Sequence, residues 1–287
     1  MKYRFLYFVV YPHGLKRLIS WRRIIHVFIC LFLLSFVSCV TTSELATSSI
    51  PAQTLGKIIE TLRERETNVT SLKGLFQAEV DRKGMVFTQS LQGSIFYQHP
   101  NQYRIQGFTR FGGLIFDFVL SGDFYALRVG EHPKPIIGGM DNFQKLGEFR
   151  LPVLLSLRAI EVVLGKLSFD TEEIIAAQVY DNSYQFDISQ DSKILGATLY
   201  QRIVVDQMSL QVRHLDYLSA EGKAMVSIYT SDFRQVRDGG SSELRRLDLP
   251  FGVRVEDRVE AGSIALEFHE IKANEPLEKK MFTLTAF

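Results

Sequence analysis

After position 39 this sequence contains no cysteine. Its only two, Cys30 and Cys39, lie among the first 39 of 287 residues. Everything downstream therefore lacks a disulfide framework and a thiolate metal site, and apolar packing alone has to hold the fold. The histidines of that region, His99, His132, His214 and His269, stand at no HExxH or HxH spacing, so no metal site is expected. A GxSxG turn, a phosphate-binding P-loop and a dinucleotide-binding glycine pattern are also missing, and these are the commoner signatures of hydrolases, nucleotidases and dehydrogenases. Gly138-Gly139 and Gly239-Gly240 read as turns. No cofactor and no catalytic residue are expected.

Acidic residues are missing from positions 1–38, which carry Lys2, Arg4, Lys16, Arg17, Arg22 and Arg23. Removing these six from 33 basic residues leaves 27 against 32 acidic ones, a net charge of −5 for residues 39–287. A domain of that sign has no electrostatic reason to bind nucleic acid. Long apolar runs are scarce too. Residues 24–37, IIHVFICLFLLSFV, form a stretch of 14 residues behind Trp21-Arg22-Arg23. A bilayer span needs about 20, so basic residues followed by so short a run predict an export signal. The run ends in Phe36-Val37-Ser38-Cys39, which resembles a bacterial lipobox. That resemblance implies that Cys39 is diacylated and becomes the N-terminus, since two acyl chains anchor stably where one does not. Val40 follows where an aspartate would imply inner-membrane retention, so the implied address is the outer membrane, on its periplasmic side.

What is present is alternation. Residues 39–53 are small and polar and predict a flexible tether. Leu55, Ile58, Ile59 and Leu62 make an amphipathic stripe over Leu55 to Glu66. Strands follow in period two: Phe76, Ala78 and Val80; then Met85 to Tyr97, with a turn at Gly84; Tyr103 to Phe108; Leu114 to Leu120; Phe124 to Val129. Pro152 to Leu164 predicts a second helix, with proline in its first turn and Gly165 just past its end. Thr171 to Ala177 predicts a short third helix. Strands then resume through Phe186, Ile203, Leu210 to Leu218, Ala224 to Val236, Val253 and Phe268. The expectation is an α+β, mainly β chain: a half-open, strongly curved antiparallel barrel of about 11 strands, with helices lidding the concave face. Residues 1–38 would be signal, 39–53 tether and 54–287 the folded domain. Phe87, Leu91, Ile95, Phe116, Phe118, Leu266 and Phe268 are expected to face a common apolar interior. The plain alternative is an ordinary filled core.

Gln102-Tyr103-Arg104-Ile105, Phe111-Gly112, Leu151-Pro152, Leu157-Arg158 and Leu164-Gly165 resemble the LolB family of outer-membrane lipoprotein receptors, within the wider LolA/LolB-like superfamily. The likeness runs over roughly residues 55–285. It implies an apolar cavity for acyl chains of lipoproteins or other lipids, a periplasmic LolA-like carrier as partner, and release into the outer membrane without nucleotide. It also implies that Phe111, with Gly112 and Gly113 at the loop tip, contacts the membrane; the alternative is a ring folded onto the core. Arg104 is read as a strand-surface ion pair, with a family-specific role as the alternative. Three functions compete: a lipid-transfer lipoprotein, a structural or assembly lipoprotein binding a protein partner with the curved sheet, and a hydrolase, for which the missing motifs leave no support.

Overall fold

A computed structural model describes residues 48–82, 89–130, 134–142, 146, 150–167, 173–192, 197–240, 246–259 and 261–283. Cys39, Gly84 and Phe87 lie outside these.

Among the described residues, fourteen strands form one antiparallel sheet. A first meander contains β2 (Ser71–Arg82), β3 (Gln89–Gln98), β4 (Gln102–Phe108), β5 (Leu114–Ser121), β6 (Phe124–Val129) and β7 (Ile136–Gly139). A second contains β8 (Ile174–Tyr180), β9 (Ser183–Ser192), β10 (Ala197–Asp206), β11 (Val212–Leu218), β12 (Ala224–Arg237), β13 (Arg246–Asp257) and β14 (Gly262–Ala273). The last strand of the second pairs with the first of the first, Leu266 opposite Ala78. The two-residue β1 (Ser48–Ser49) adds to the edge at β8. The order β1-β8-β9-β10-β11-β12-β13-β14-β2-β3-β4-β5-β6-β7 leaves β1 and β7 as free edges. The barrel is open, and register shifts in several pairs (Phe268/Glu270 and Gly107/Phe108 among them) bend the strands.

Among the described residues two α-helices lie outside the sheet order, α1 (Ala52–Asn68) before the first meander and α2 (Arg150–Val163) between the two. Helix α1 buries Ile58, Ile59 and Leu62 and leaves Lys57, Glu60, Arg63 and Glu64 exposed. Helix α2 differs. Leu157, Ala159, Ile160, Val162 and Val163 are all buried, as is Leu164 just past its end, the pattern of a helix surrounded by core. It ends in a Schellman motif, with Lys166 N–H donating to Glu161 O and Gly165 N–H to Val162 O. The concave face is packed against these helices by Phe76, Ile95, Phe118, Phe186, Ile203, Val253 and Phe268, which belong to one continuous core.

Three expectations are corrected. Residues from Ile174 onward form strand β8 and not a third helix: Ile174 pairs with Ile188 and Ala177 with Phe186, and β-branched Ile174-Ile175 suit a sheet edge better than a helix. Gly138-Gly139 is no turn but part of β7, where a Cβ on Gly138 would stand 2.6 Å from the Tyr125 hydroxyl; the glycine makes room for that ring. Part of the segment expected as tether belongs to the fold, since Ser48 and Ser49 pair with Val179 and Gln178 and α1 already starts at Ala52.

Candidate functional site

The candidate site is the concave face with its two helices. Of the residues expected there, Ile95, Phe118, Leu266 and Phe268 are buried in the common core, and Leu91 and Phe116 pack against it half-buried. Phe76 meets Phe268 edge to face at 5.8 Å, and Phe118 stacks on Tyr125 at 6.4 Å. Side chains of the sheet and of both helices belong to this one packed cluster.

The helices are fastened in different ways. Beyond the end of α2, Lys166 Nζ donates to Pro100 O at 2.7 Å and to the Tyr103 hydroxyl at 3.3 Å, and it lies 4.8 Å above the Tyr97 ring. Burial lowers the Lys166 pKa, partly offset by Glu161 and Glu66. Burial also pushes the Tyr97 and Tyr103 hydroxyls above their usual range, so both stay protonated hydrogen-bonding groups. On α2 itself, Arg158 pairs with Glu161 at 2.6 Å and covers the Tyr217 ring.

Among the bonds that hold helix α1 are those of a long side chain and a cap. Arg65 Nη1 and Nη2 donate to the carbonyls of Leu210 and Ser209, each at 2.6 Å. The turn that offers those carbonyls is braced by Asp206, whose Oδ1 accepts from Ser209 N–H at 2.8 Å and from the Ser209 hydroxyl at 2.9 Å. The last α1 carbonyl, Asn68 O, accepts from Asn274 Nδ2 at 2.8 Å. Helical spacing puts Arg65 beside the apolar stripe, seven positions after Ile58 and three after Leu62, but apolar periodicity passes over a charged residue there. A cavity of about 240 Å³ opens beside it, between the C-terminal ends of both helices, the β10–β11 turn and strands β12 and β13.

Loop Thr109–Gly113 joins β4 to β5. Thr109 N–H donates to Gly113 O at 2.8 Å, Gly113 N–H to Thr109 Oγ1 at 3.0 Å, and Gly112 takes φ 84°. The loop is thus internally braced, and Phe111 at its tip is 100 % exposed. On the convex face Arg104 makes a two-pronged pair with Asp117 (2.9 and 2.6 Å) and donates to Met281 O at 3.0 Å. The ion pair expected of Arg104 is made, but largely buried and not at the open surface, since Asp117 is buried and Arg104 only partly exposed; it straps the C-terminal segment to the sheet.

A serine, an aspartate and a histidine do meet on the convex face. Ser227 donates to Asp216 Oδ1 at 2.6 Å, and His214 Nε2 lies 2.8 Å from the same oxygen. A nucleophilic triad needs the imidazole between hydroxyl and carboxylate; here the carboxylate is central and Ser227 is fully buried. The cluster braces β11 against β12. Among the described residues no group of metal-ligating side chains is assembled.

No protein-family model matches this sequence, and no curated protein matches it. Solved structures share the fold. A Vibrio parahaemolyticus domain assigned to outer-membrane lipoprotein sorting is 12 % identical, with a TM-score of 0.53 over 79 % of this chain and 94 % of that one. A LolA superfamily protein from Nitrosomonas europaea is 12 % identical, with a TM-score of 0.50 over 78 % and 97 %. A DUF1329 family protein from Desulfovibrio piger is 11 % identical, with a TM-score of 0.56 over 82 % and 98 %. With its open antiparallel sheet, the chain shares the fold of these structures, the LolA superfamily protein among them.

Proposed function

We propose that this protein is an outer-membrane lipoprotein, anchored through Cys39 and facing the periplasm, that takes acyl chains of lipoproteins or other amphiphiles onto its concave face and passes them to the outer membrane. The observation that carries the proposal is the unequal hold on the two helices over that face. Three buried large side chains of α1 contribute about 1.5–3 kcal/mol each, whereas α2 has four (Leu157, Ile160, Val162 and Val163), with buried Ala159 and, just past its end, Leu164 in addition. A sixteen-carbon acyl chain brings about 0.8 kcal/mol per buried CH₂, roughly 12 kcal/mol in all. Cargo can therefore replace α1 against the sheet, with Arg65 letting go of its two carbonyls, while α2 stays as the floor. The name of the Vibrio domain supports lipoproteins as cargo. A periplasmic LolA-like protein would deliver them.

Phe111 would serve release. Its ring stands on a braced loop, and burying it in a membrane interface contributes on the order of 2 kcal/mol, enough to bias transfer but not to hold the protein there. The test loads the chain with a triacylated lipopeptide and follows its passage into liposomes. Uptake by the unaltered chain and slower release from Phe111→Glu support the proposal; no uptake refutes it. The packed interior around Phe118 favours a second reading, an assembly lipoprotein whose sheet binds a protein, and that reading predicts no uptake.

A further inference from the structure

The cavity beside Arg65 has two unlike walls. Leu62 of α1, Val163 of α2 and Leu247 and Leu249 of β13 form the deep one, and all four are buried. At about 240 Å³ it exceeds the roughly 150 Å³ that holds a benzene ring in an apolar protein cavity, which gives room for about ten carbons in one chain. It has no room for the several chains of a lipoprotein.

The other wall carries the Arg65 guanidinium. Both of its hydrogen bonds go to neutral carbonyls, and Asp248 is the one carboxylate, among the described residues, that acts on it. Burial draws its pKa down, with Asp248 opposing. A guanidinium has five N–H donors in a flat fork, so donors remain after the two carbonyls are served. Arg246 and Asp248 also border the opening, and together with Arg65 they leave a formal charge of +1. A half-buried cation next to an apolar void is completed by a ligand with an aliphatic tail and a flat anionic head, because a carboxylate meets that fork with two charge-assisted hydrogen bonds.

We infer that this cavity binds a single-chain aliphatic carboxylate of about ten carbons, tail among Leu62, Val163, Leu247 and Leu249 and head on Arg65. The inference rests on the acyl-chain reading in that both need apolar space under α1, yet it names a free carboxylate as occupant and not multi-chain cargo. Occupancy would tie α1 more firmly to the β10–β11 turn.

The test uses the full chain in lipid nanodiscs and a decanoate carrying a terminal photoreactive diazirine. Labelling should map to the peptides holding Leu62, Val163 and Leu247 to Leu249. Unlabelled decanoate should compete at least tenfold better than decanol, about the effect of one charge-assisted hydrogen bond. Arg65→Gln should abolish that preference and Arg65→Lys should keep it. Scattered labelling, equal competition by decanol, or a preference that survives Arg65→Gln would overturn the inference. Lipopeptide capture is measured on the same preparations: retained capture with failed labelling removes the decanoate site alone, whereas site-specific labelling without capture removes the transfer reading and leaves the site.

Discussion

Arg65 and Leu210, 145 positions apart in sequence, are joined by a 2.6 Å hydrogen bond from guanidinium to carbonyl. Leu210 accepts it from a left-handed backbone conformation, φ 53°, which costs a non-glycine residue free energy. The turn thus holds an unfavourable shape in which two carbonyls meet one side chain of α1.

Arg65→Ala should therefore loosen α1 before anything else. Losing hydrogen bonds to a charged group costs about 1.5–3 kcal/mol. Hydrogen exchange should speed up for residues 52–68 and stay unchanged in β13 and β14. Uniform acceleration across the sheet would mean that Arg65 supports the whole fold and not a lid.

Phe118 is fully buried. Phe118→Ala should cost about 3–5 kcal/mol, read from the denaturant midpoint. Phe111→Glu, at a fully exposed tip, should leave the midpoint where it was. A large shift for Phe111→Glu would place that ring in the core in solution.

The acid limb of stability should depend on Asp216. Burial pushes its carboxyl up, but hydrogen bonds from His214 and Ser227 outweigh this and hold it below the ordinary value. The folded pKa is thus depressed. The stabilisation is present above the unfolded value of about 3.9 and is lost as pH falls through the folded one. Asp216→Asn should flatten the unfolding-versus-pH curve below pH ~4; an unchanged slope there would show that other carboxylates set it.

Cys39→Ser should give a chain that takes up no radioactive palmitate. Persistent labelling would remove the lipid anchor from the proposed function.

Much of this architecture can be seen in the residues, for a physical reason. Strand alternation such as Phe76, Ala78 over Gln77, Glu79 records which face meets the core, and Gly165 marks where α2 stops. Local pattern does not record which partner a side chain finds. Ile174-Ile175 fit either a short helix or an edge strand until β9 pairs with them. Gly138-Gly139 look like a turn until Tyr125 occupies the space above them. Arg65 stands beside the apolar stripe by its spacing, but only a turn 145 positions later supplies the two carbonyls that bind it. The apolar faces of Ile95 and Phe118 are legible; whether α2 or an acyl chain covers them is set by a segment far away in sequence.

Hydrogen exchange of the loaded protein decides most sharply whether cargo replaces α1. With a triacylated lipopeptide bound, residues 52–68 should lose protection while residues 156–163 of α2 keep theirs. Unchanged protection in α1, or equal loss in both helices, would contradict a lid lying over a fixed floor.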